Sequence, residues 1–295
     1  MQANFVITMS EFWKRTLSGA VYVGAVVGSI LYSNYLFCAL FLVISCWAVH
    51  EYHVLMKSHR GLRICAVLAT LFLWMVMCCP LVLHKDYHFL IHGTAGAAYG
   101  IVILAALIDE LWRKADNPIA NWGNLLISQI MIALPFCTMS WLMQLDKYLL
   151  LALFVLMWVN DSGAYCVGTL TAKKPGGNHK MFPRVSPKKS WEGLFGGMAC
   201  AIGAAYILHR FGWFDKITAK LCGKIVIILF AILATGFGTL GDLMESLMKR
   251  TVGVKDSGCF LPGHGGVLDR FDSLLLATPV VAFYSWVCYA LSLMH

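Results

Sequence analysis

The sequence predicts an all-α fold, that of a polytopic integral membrane protein with about nine transmembrane helices. Of its 295 residues, 59% are hydrophobic and only 13% are charged, which is about half the charged fraction of an average soluble domain. The mean hydropathy is +0.72, and the apolar residues form blocks close to the roughly 20 residues that a helix needs to cross a bilayer. These observations exclude a soluble globular domain, a disordered chain and a nucleic-acid-binding domain.

Apolar runs, divided at charged residues and at Gly/Pro clusters, give nine candidate spans. In chain order they cover 17–32, 34–49, 62–83, 89–108, 124–143, 148–165, 193–209, 224–241 and 274–293. The first two spans are short, and only Ser33 and Asn34 separate them. Each later boundary carries charged residues or turn-forming residues, which interrupt a membrane helix.

The basic residues indicate the direction of the chain, because Lys and Arg are enriched in cytoplasmic loops. The N-terminus and the loops after the second, fourth, sixth and eighth spans carry 17 of the 23 Lys and Arg residues, and the other side carries six. This asymmetry predicts a multi-pass plasma-membrane protein with a cytoplasmic N-terminus, cytoplasmic polar loops and an outside C-terminus. The net charge of +8 is explained by loop cations next to anionic lipid headgroups. We therefore expect the lipid bilayer, and no nucleic acid, as the partner.

The two halves of the chain differ in their loops. Residues 1–145 contain short, chemically ordinary loops and are interpreted as a membrane scaffold. Residues 146–295 contain two long polar segments, 160–192 and 242–272, on the predicted cytoplasmic side. We therefore expect one continuous membrane domain with its chemistry in the second half. The 11 cysteines lie mostly in apolar runs without a CxxC pair, which favours packing over metal binding.

The end of the eighth span is unusually polar. Asp242, Glu245, Ser246 and Lys249 are spaced i, i+3, i+4 and i+7, which places them along one stripe of a continuing helix. An i,i+4 ion pair between Glu245 and Lys249 would stabilise an ordinary helix end. Ionisable groups within or directly next to a transmembrane segment are equally typical of a functional site.

The segment 255–272 adds glycines and more carboxylates. Three glycines surround His264, so the backbone can present several N–H groups to an anion, or simply form a turn. Asp269 and Asp272 follow at a spacing of i, i+3. Asp242 and Asp269 suit a magnesium ion bound to substrate phosphates, because carboxylates hold the metal while cations bind the remaining phosphate charge. The candidate cations are Lys249, Arg250, Lys255 and Arg270.

The other polar segment contains Asn160–Tyr165 and Ser186–Gly193. Lys188 and Lys189 precede a predicted helix and suit phosphate binding at a helix N-terminus. They are as well explained as positive anchors at the membrane surface. The sequence has no P-loop, no dinucleotide-binding glycine pattern and no Gly-x-Ser-x-Gly elbow, so those three enzyme classes have no support.

The run from Ser246 to Asp272 resembles the C-terminal signature of the phosphatidate cytidylyltransferases, also called CDP-diacylglycerol synthases. The residues that carry the resemblance are Lys249-Arg250, Lys255-Asp256, Gly258, Pro262, His264-Gly265-Gly266, Asp269-Arg270 and Asp272. The segments 161–165 and 186–193 also resemble that family. The chain departs from the family pattern at Thr169, where a basic residue is usual, at Ala172, where Gly is usual, and at Ser190, where Thr is usual.

The resemblance implies an enzyme that converts CTP and phosphatidic acid into CDP-diacylglycerol and pyrophosphate. It implies a helical membrane fold that is often homodimeric and requires Mg²⁺ or another divalent cation. By position, Asp242 and Asp269 would be the metal ligands, with Asp272 and Glu245 as supporting carboxylates. The remaining site residues would bind or react with the substrates: Asp161, Ser186, Lys188, Lys189, Ser246, Lys249, Arg250, Lys255, His264, Gly265, Gly266 and Arg270.

Two other functions fit parts of the pattern. A different CTP-dependent membrane enzyme, such as a polyprenol or phytol kinase, would use an alcohol as acceptor and would release no pyrophosphate. A transporter or channel would typically show broken helices in two related halves, whereas this chain has one polar cluster and no visible repeat.

Overall fold

The computed structural model describes residues 9–218, 222–258 and 265–294. Within them the chain forms helices α1 Met9–Tyr32, α2 Asn34–Leu55, α3 Arg60–Val82, α4 His88–Arg113, α5 Pro118–Ser128, α6 Leu134–Leu145, α7 Lys147–Ala172, α8 Trp191–Arg210, α9 Asp215–Thr218, α10 Gly223–Thr251, α11 Leu268–Phe271 and α12 Leu274–Met294. A short 3-10 helix covers Lys85–Tyr87, and a π-helix, Gln129–Ala133, joins α5 to α6. One antiparallel hairpin pairs β1 Lys180–Phe182 with β2 Ser186–Ser190.

The helices confirm the predicted all-α membrane architecture. Eight helical segments in the described ranges are long and apolar enough to cross a bilayer, and each matches a predicted span. The segment Pro118–Leu145 counts as one span because the π-helix continues α5 into α6. The predicted span 17–32 corresponds to an apolar stretch, Thr16–Tyr32, that is shorter than the other eight. The β-hairpin was not predicted, because strands of three and five residues are too short to show a two-residue periodicity.

Glycines let α7 and α8 approach closely. A Cβ added at Gly197 would lie 2.6 Å from the main-chain oxygen of Asn160, and one at Gly163 would lie 3.0 Å from the Cys200 side chain. Small residues at such positions allow two helix backbones to meet in a membrane. This contact fixes the C-terminal part of α7 against the first turns of α8.

An aromatic cluster surrounds Phe271 at the end of α11. Its ring lies 5.1 Å from that of Phe136, 5.6 Å from Tyr22, 6.2 Å from Phe41 and 6.5 Å from Phe154, measured between ring centroids. All four partners meet it edge-on, the arrangement that aromatic quadrupoles favour. Helices α1, α2, α6 and α7 therefore hold this short helix from four sides.

The polar loops meet at one end of the helix bundle. A carboxylate near the end of α2 contacts the segment after α10, and Lys189 of the hairpin contacts Asp242 of α10. At the opposite end, Lys147 donates to the Leu31 carbonyl and Asn34 donates to the Leu81 carbonyl. The loops that the charge pattern grouped together thus share one end of the molecule.

The glycine contact between α7 and α8 yields a paired test. We expect Gly197→Ala to lower the free energy of unfolding by about 1–3 kcal/mol, because the new methyl group meets main-chain atoms that have little room to move. The matched variant Gly203→Ala lies on the same helix with nothing within 4 Å of the added Cβ, so it should be neutral or slightly stabilising. Thermal unfolding of both purified variants in detergent checks this, and equal midpoints would contradict the packing argument.

Candidate active site

A cavity of about 530 Å³ opens between α7, the hairpin, the start of α8 and the polar part of α10. The side chains that line it include Asp161, Lys180, Lys188, Lys189 and Asp242. Two acidic and three basic residues therefore line one space of a size typical for small-molecule sites. Of the residues predicted to bind substrate, this cavity brings together Asp161, Lys188 and Lys189 with Asp242.

An ion pair joins Lys189 and Asp242 in the cavity wall. The Lys189 Nζ atom lies 2.6 Å from Asp242 Oδ2, and it also lies 3.4 Å from the carbonyl oxygen of Thr239. The other Asp242 oxygen, Oδ1, accepts a hydrogen bond of 3.2 Å from Ser246 Oγ. Ser246 thus orients a predicted metal ligand, as its i,i+4 spacing allows.

Three carboxylates share this region of the site. Asp272 follows α11, and its Oδ1 accepts a hydrogen bond of 2.6 Å from the N–H of Ser273. Burial and the negative charges of Asp242 and Asp161 raise the pKa of Asp272 to about 7, against the opposing effects of the Ser273 N–H and the Lys189 ammonium. The negative charges of Asp242 and Asp161 next to Asp272 favour a bound cation or a phosphate-bound metal at the same place.

The hairpin presents the two lysines. Lys188 and Lys189 lie on β2, whereas the sequence placed them in a loop before a helix. Ser190 is the N-cap residue of α8, and its hydroxyl accepts a hydrogen bond of 3.2 Å from the N–H of Gly193. Serine performs this cap as well as threonine would. Ser186 begins the same strand but does not line the cavity.

A second polar group lies around Lys249. Its ammonium contacts Glu245 Oε2 at 2.5 Å and Asp269 Oδ1 at 2.6 Å. The first contact is the i,i+4 pair that the spacing predicted; the second joins α10 to α11. Glu245 and Lys249 are 1% and 8% exposed, and buried charges require such pairing.

Both carboxylate oxygens of Asp269 contact other groups of the protein. Its Oδ2 accepts hydrogen bonds from the N–H groups of Ser257 and Gly266, at 2.9 and 2.8 Å, and lies 3.0 Å from the Ser257 hydroxyl oxygen. Burial opposes ionisation of this carboxyl, but the bonds from Lys249, Gly266 and Ser257 outweigh it and hold its pKa below the usual range. Gly265 has a φ of +81° beside this carboxylate, a conformation that glycine adopts without strain.

The four predicted metal carboxylates therefore fall into two groups. Asp242 lines the cavity, and Asp272 directly precedes Ser273, which also lines it, whereas Glu245 and Asp269 are paired with Lys249. No three His, Cys, Asp or Glu side chains in the described ranges are arranged as ligands of one metal ion. Mg²⁺ commonly takes only one or two carboxylates and completes its shell with substrate phosphates and water. Asp242, with Asp272 near it, fits that pattern.

The other predicted site residues are near the second group or outside the described ranges. Arg250 Nη1 donates to the Val254 carbonyl and closes the end of α10. Lys255 is exposed, and Arg270 lies within α11. His264 lies outside the residues that the structure describes.

Sequence analysis missed Glu51, which the N-terminal half contributes to the second group. Its carboxylate contacts Ser257 and Gly266. An ionisable residue next to an apolar run is itself a signal of function, but the predicted span ended at residue 49 and left Glu51 in a loop. The N-terminal half thus contributes a buried carboxylate to the second group.

The comparisons with known proteins agree with the motifs. Residues 13–288 match the model of a cytidylyltransferase family. A phosphatidate cytidylyltransferase of Staphylococcus epidermidis is 43% identical over 136 residues, 46% of this chain and 47% of that relative. One of Haemophilus influenzae is 36% identical over 198 residues, 64% of each chain. One of Bacillus subtilis is 34% identical over 235 residues, 77% of this chain and 81% of that relative.

The chain spans about half the length of the Staphylococcus relative that it matches and somewhat under two thirds of the Haemophilus one. The family match is much longer, since it begins within α1 and ends within α12. It includes the cavity, the hairpin and the group around Lys249. The resemblance seen in the motifs is confirmed, and this chain belongs to the cytidylyltransferase family.

Proposed function

We propose that this chain transfers the cytidylyl group of CTP to phosphatidic acid, which gives CDP-diacylglycerol and pyrophosphate. The observation that carries the proposal is the cavity in which Asp161 and Asp242 face Lys180, Lys188 and Lys189. Two phosphorylated substrates need cations to neutralise them and carboxylates to hold a metal. The relatives named phosphatidate cytidylyltransferase support this choice of substrates.

The proposed reaction needs positioning more than a protein nucleophile. A phosphate oxygen of the lipid forms a bond to the α-phosphorus of CTP, and the bond from that phosphorus to the bridging oxygen breaks as pyrophosphate leaves with the electron pair. The lysines of the hairpin bind the phosphates in the orientation that brings these atoms together. Charge neutralisation of the leaving group supplies much of the rate, as in phosphoryl transfer.

Asp242 and Asp272 would hold the divalent cation, with Asp161 beside them. The cation supplies Lewis-acid stabilisation of the phosphate charge. Lys189 holds Asp242 in place through their ion pair. Because that pair is partly exposed, it contributes little to stability, and its role in the proposal is to orient the carboxylate.

The products distinguish this function from that of a CTP-dependent lipid kinase. We expect the purified full chain, supplied with CTP, Mg²⁺ and phosphatidic acid in detergent micelles, to form CDP-lipid and pyrophosphate in equal amounts. A coupled pyrophosphate assay and mass spectrometry of the lipid measure both. Release of CDP, or phosphorylation of an added polyprenol, would instead identify a kinase, and no CTP consumption would contradict both enzymes.

A substitution at Asp242 tests the metal assignment. We expect Asp242→Asn to lower kcat by about a hundredfold or more, because the loss of several kcal/mol of charge stabilisation corresponds to at least two powers of ten. The variant should elute and unfold like the parent and should require more Mg²⁺ for half-maximal rate.

The matched control is Asp146→Asn. Asp146 is the N-cap of α7 at the opposite end of the bundle, and asparagine caps a helix as well as aspartate does. Its activity should stay near that of the parent. Parental activity and Mg²⁺ dependence in Asp242→Asn would refute the assignment of Asp242 to the metal.

We further propose that the cavity end of the bundle faces the cytoplasm, where CTP is found, in the plasma membrane. The asymmetry of Lys and Arg supports this orientation. Green fluorescent protein inserted after Lys114 should fluoresce, and alkaline phosphatase fused after His295 should be active. The reverse result for both reporters would overturn the orientation and, with it, direct use of cytoplasmic CTP.

A further inference from the structure

Glu51 links the N-terminal half to the segment that follows α10. Its side chain is buried near the end of α2, and the residue is 6% exposed. One carboxylate oxygen accepts a hydrogen bond of 2.6 Å from Ser257 Oγ. The other accepts bonds from the N–H groups of Val267 and Leu268, at 2.7 and 3.3 Å. All of these partners are neutral, so the contact is made by hydrogen bonds and not by an ion pair.

The contacts of Glu51 continue to the residues of the second polar group. The Ser257 hydroxyl lies 3.0 Å from Asp269 Oδ2, and Asp269 Oδ1 lies 2.6 Å from Lys249 Nζ. A single serine thus connects Glu51 with Asp269. The α11 helix begins at Leu268, directly at the Glu51 carboxylate, and Asp272, next to the cavity-lining Ser273, follows its end.

The backbone around Glu51 leaves room for its carboxylate because two neighbouring residues are glycines. A Cβ added at Gly258 or at Gly266 would overlap Glu51 Oε1. Two glycines of the polar segment are therefore needed where a side chain from another helix enters. Such a fit holds the carboxylate in one place and gives it little freedom.

We propose that Glu51 is a positioning residue for the reaction: it fixes residues 265–268 at the start of α11, so that Asp272, which follows the other end of α11, stands where the proposed metal site requires it. The inference rests on the proposed function for its kinetic effect, but the contact itself can be measured separately. Small displacements of groups that orient substrates reduce rates strongly, by about a hundredfold for 1 Å. The N-terminal half would then determine the geometry of the site without contacting the substrates itself.

The hydrogen-bond pattern predicts which substitutions the site tolerates. Glutamine at position 51 keeps an oxygen that accepts from the N–H groups of Val267 and Leu268, and its amide can donate to Ser257 Oγ. The Ser257 proton is then directed to Asp269. Alanine at position 51 removes all three contacts and leaves buried N–H groups without acceptors.

The experiment compares Glu51→Ala, Glu51→Gln and the control Glu110→Ala. Glu110 is another buried carboxylate of the N-terminal half, 4% exposed, but it binds His59 and Asn121, away from the cavity. We expect Glu51→Ala to lower kcat by about tenfold or more per folded molecule, with the KM for CTP changed by less than about threefold. Glu51→Gln should recover most of kcat, and Glu110→Ala should keep parental kcat even if its unfolding midpoint falls.

Hydrogen exchange gives a readout that does not depend on activity. In Glu51→Ala the amides of residues 266–272 should exchange faster, while those of α7 stay protected as in the parent. If the parent forms no CDP-lipid, the proposed function fails, and the exchange result still tests the contact. The inference is overturned if Glu51→Ala keeps parental kcat, if Glu110→Ala loses the same activity, if Glu51→Gln is as inactive as Glu51→Ala, or if exchange over 266–272 is unchanged.

Discussion

The ion pairs of Lys249 are the interaction on which the C-terminal part of the structure depends. One ammonium group lies between Glu245, on its own helix, and Asp269, on α11. All three side chains are nearly excluded from solvent, where an uncompensated carboxylate would cost several kcal/mol. The chain must therefore bring α11 to the end of α10, and this requirement sets the position of Asp272 beside Asp242. The need to pair these buried charges therefore determines where α11 lies relative to α10.

The sequence predicted the parts of this arrangement that depend on local spacing. Helical periodicity and span length gave the membrane helices, and the i,i+4 spacing gave the contact of Glu245 with Lys249. The contact of Glu51 with Ser257 joins residues 206 positions apart, and no local rule pairs a carboxylate with a distant serine. The hairpin was missed for a different reason: its strands are short, and β2 contains Pro187, which sequence rules associate with edges and turns.

The glycines around residue 265 indicate that the backbone binds an anion, but they do not indicate which anion. A glycine-rich backbone presents N–H groups to an anion, which the sequence indicated. In the structure the Gly266 N–H binds the Asp269 carboxylate, and the space beside Gly266 receives that of Glu51. A pattern of residue types specifies that an anion is bound. Whether that anion belongs to a substrate or to the protein depends on tertiary contacts.

The separation of Glu51 from its partners has a consequence for biogenesis. The ribosome completes α2 long before it reaches Ser257, Val267 and Leu268, so the nascent chain inserts a carboxylate whose three described donors do not yet exist. During that interval Glu51 must remain hydrated at the membrane surface or be accommodated by the insertion machinery, because an ionisable group in lipid is costly. The contact can form only after Ser257 and Leu268, 206 and 217 positions after Glu51, have been synthesised, so the α2 helix waits in the membrane for the segment that will fix it.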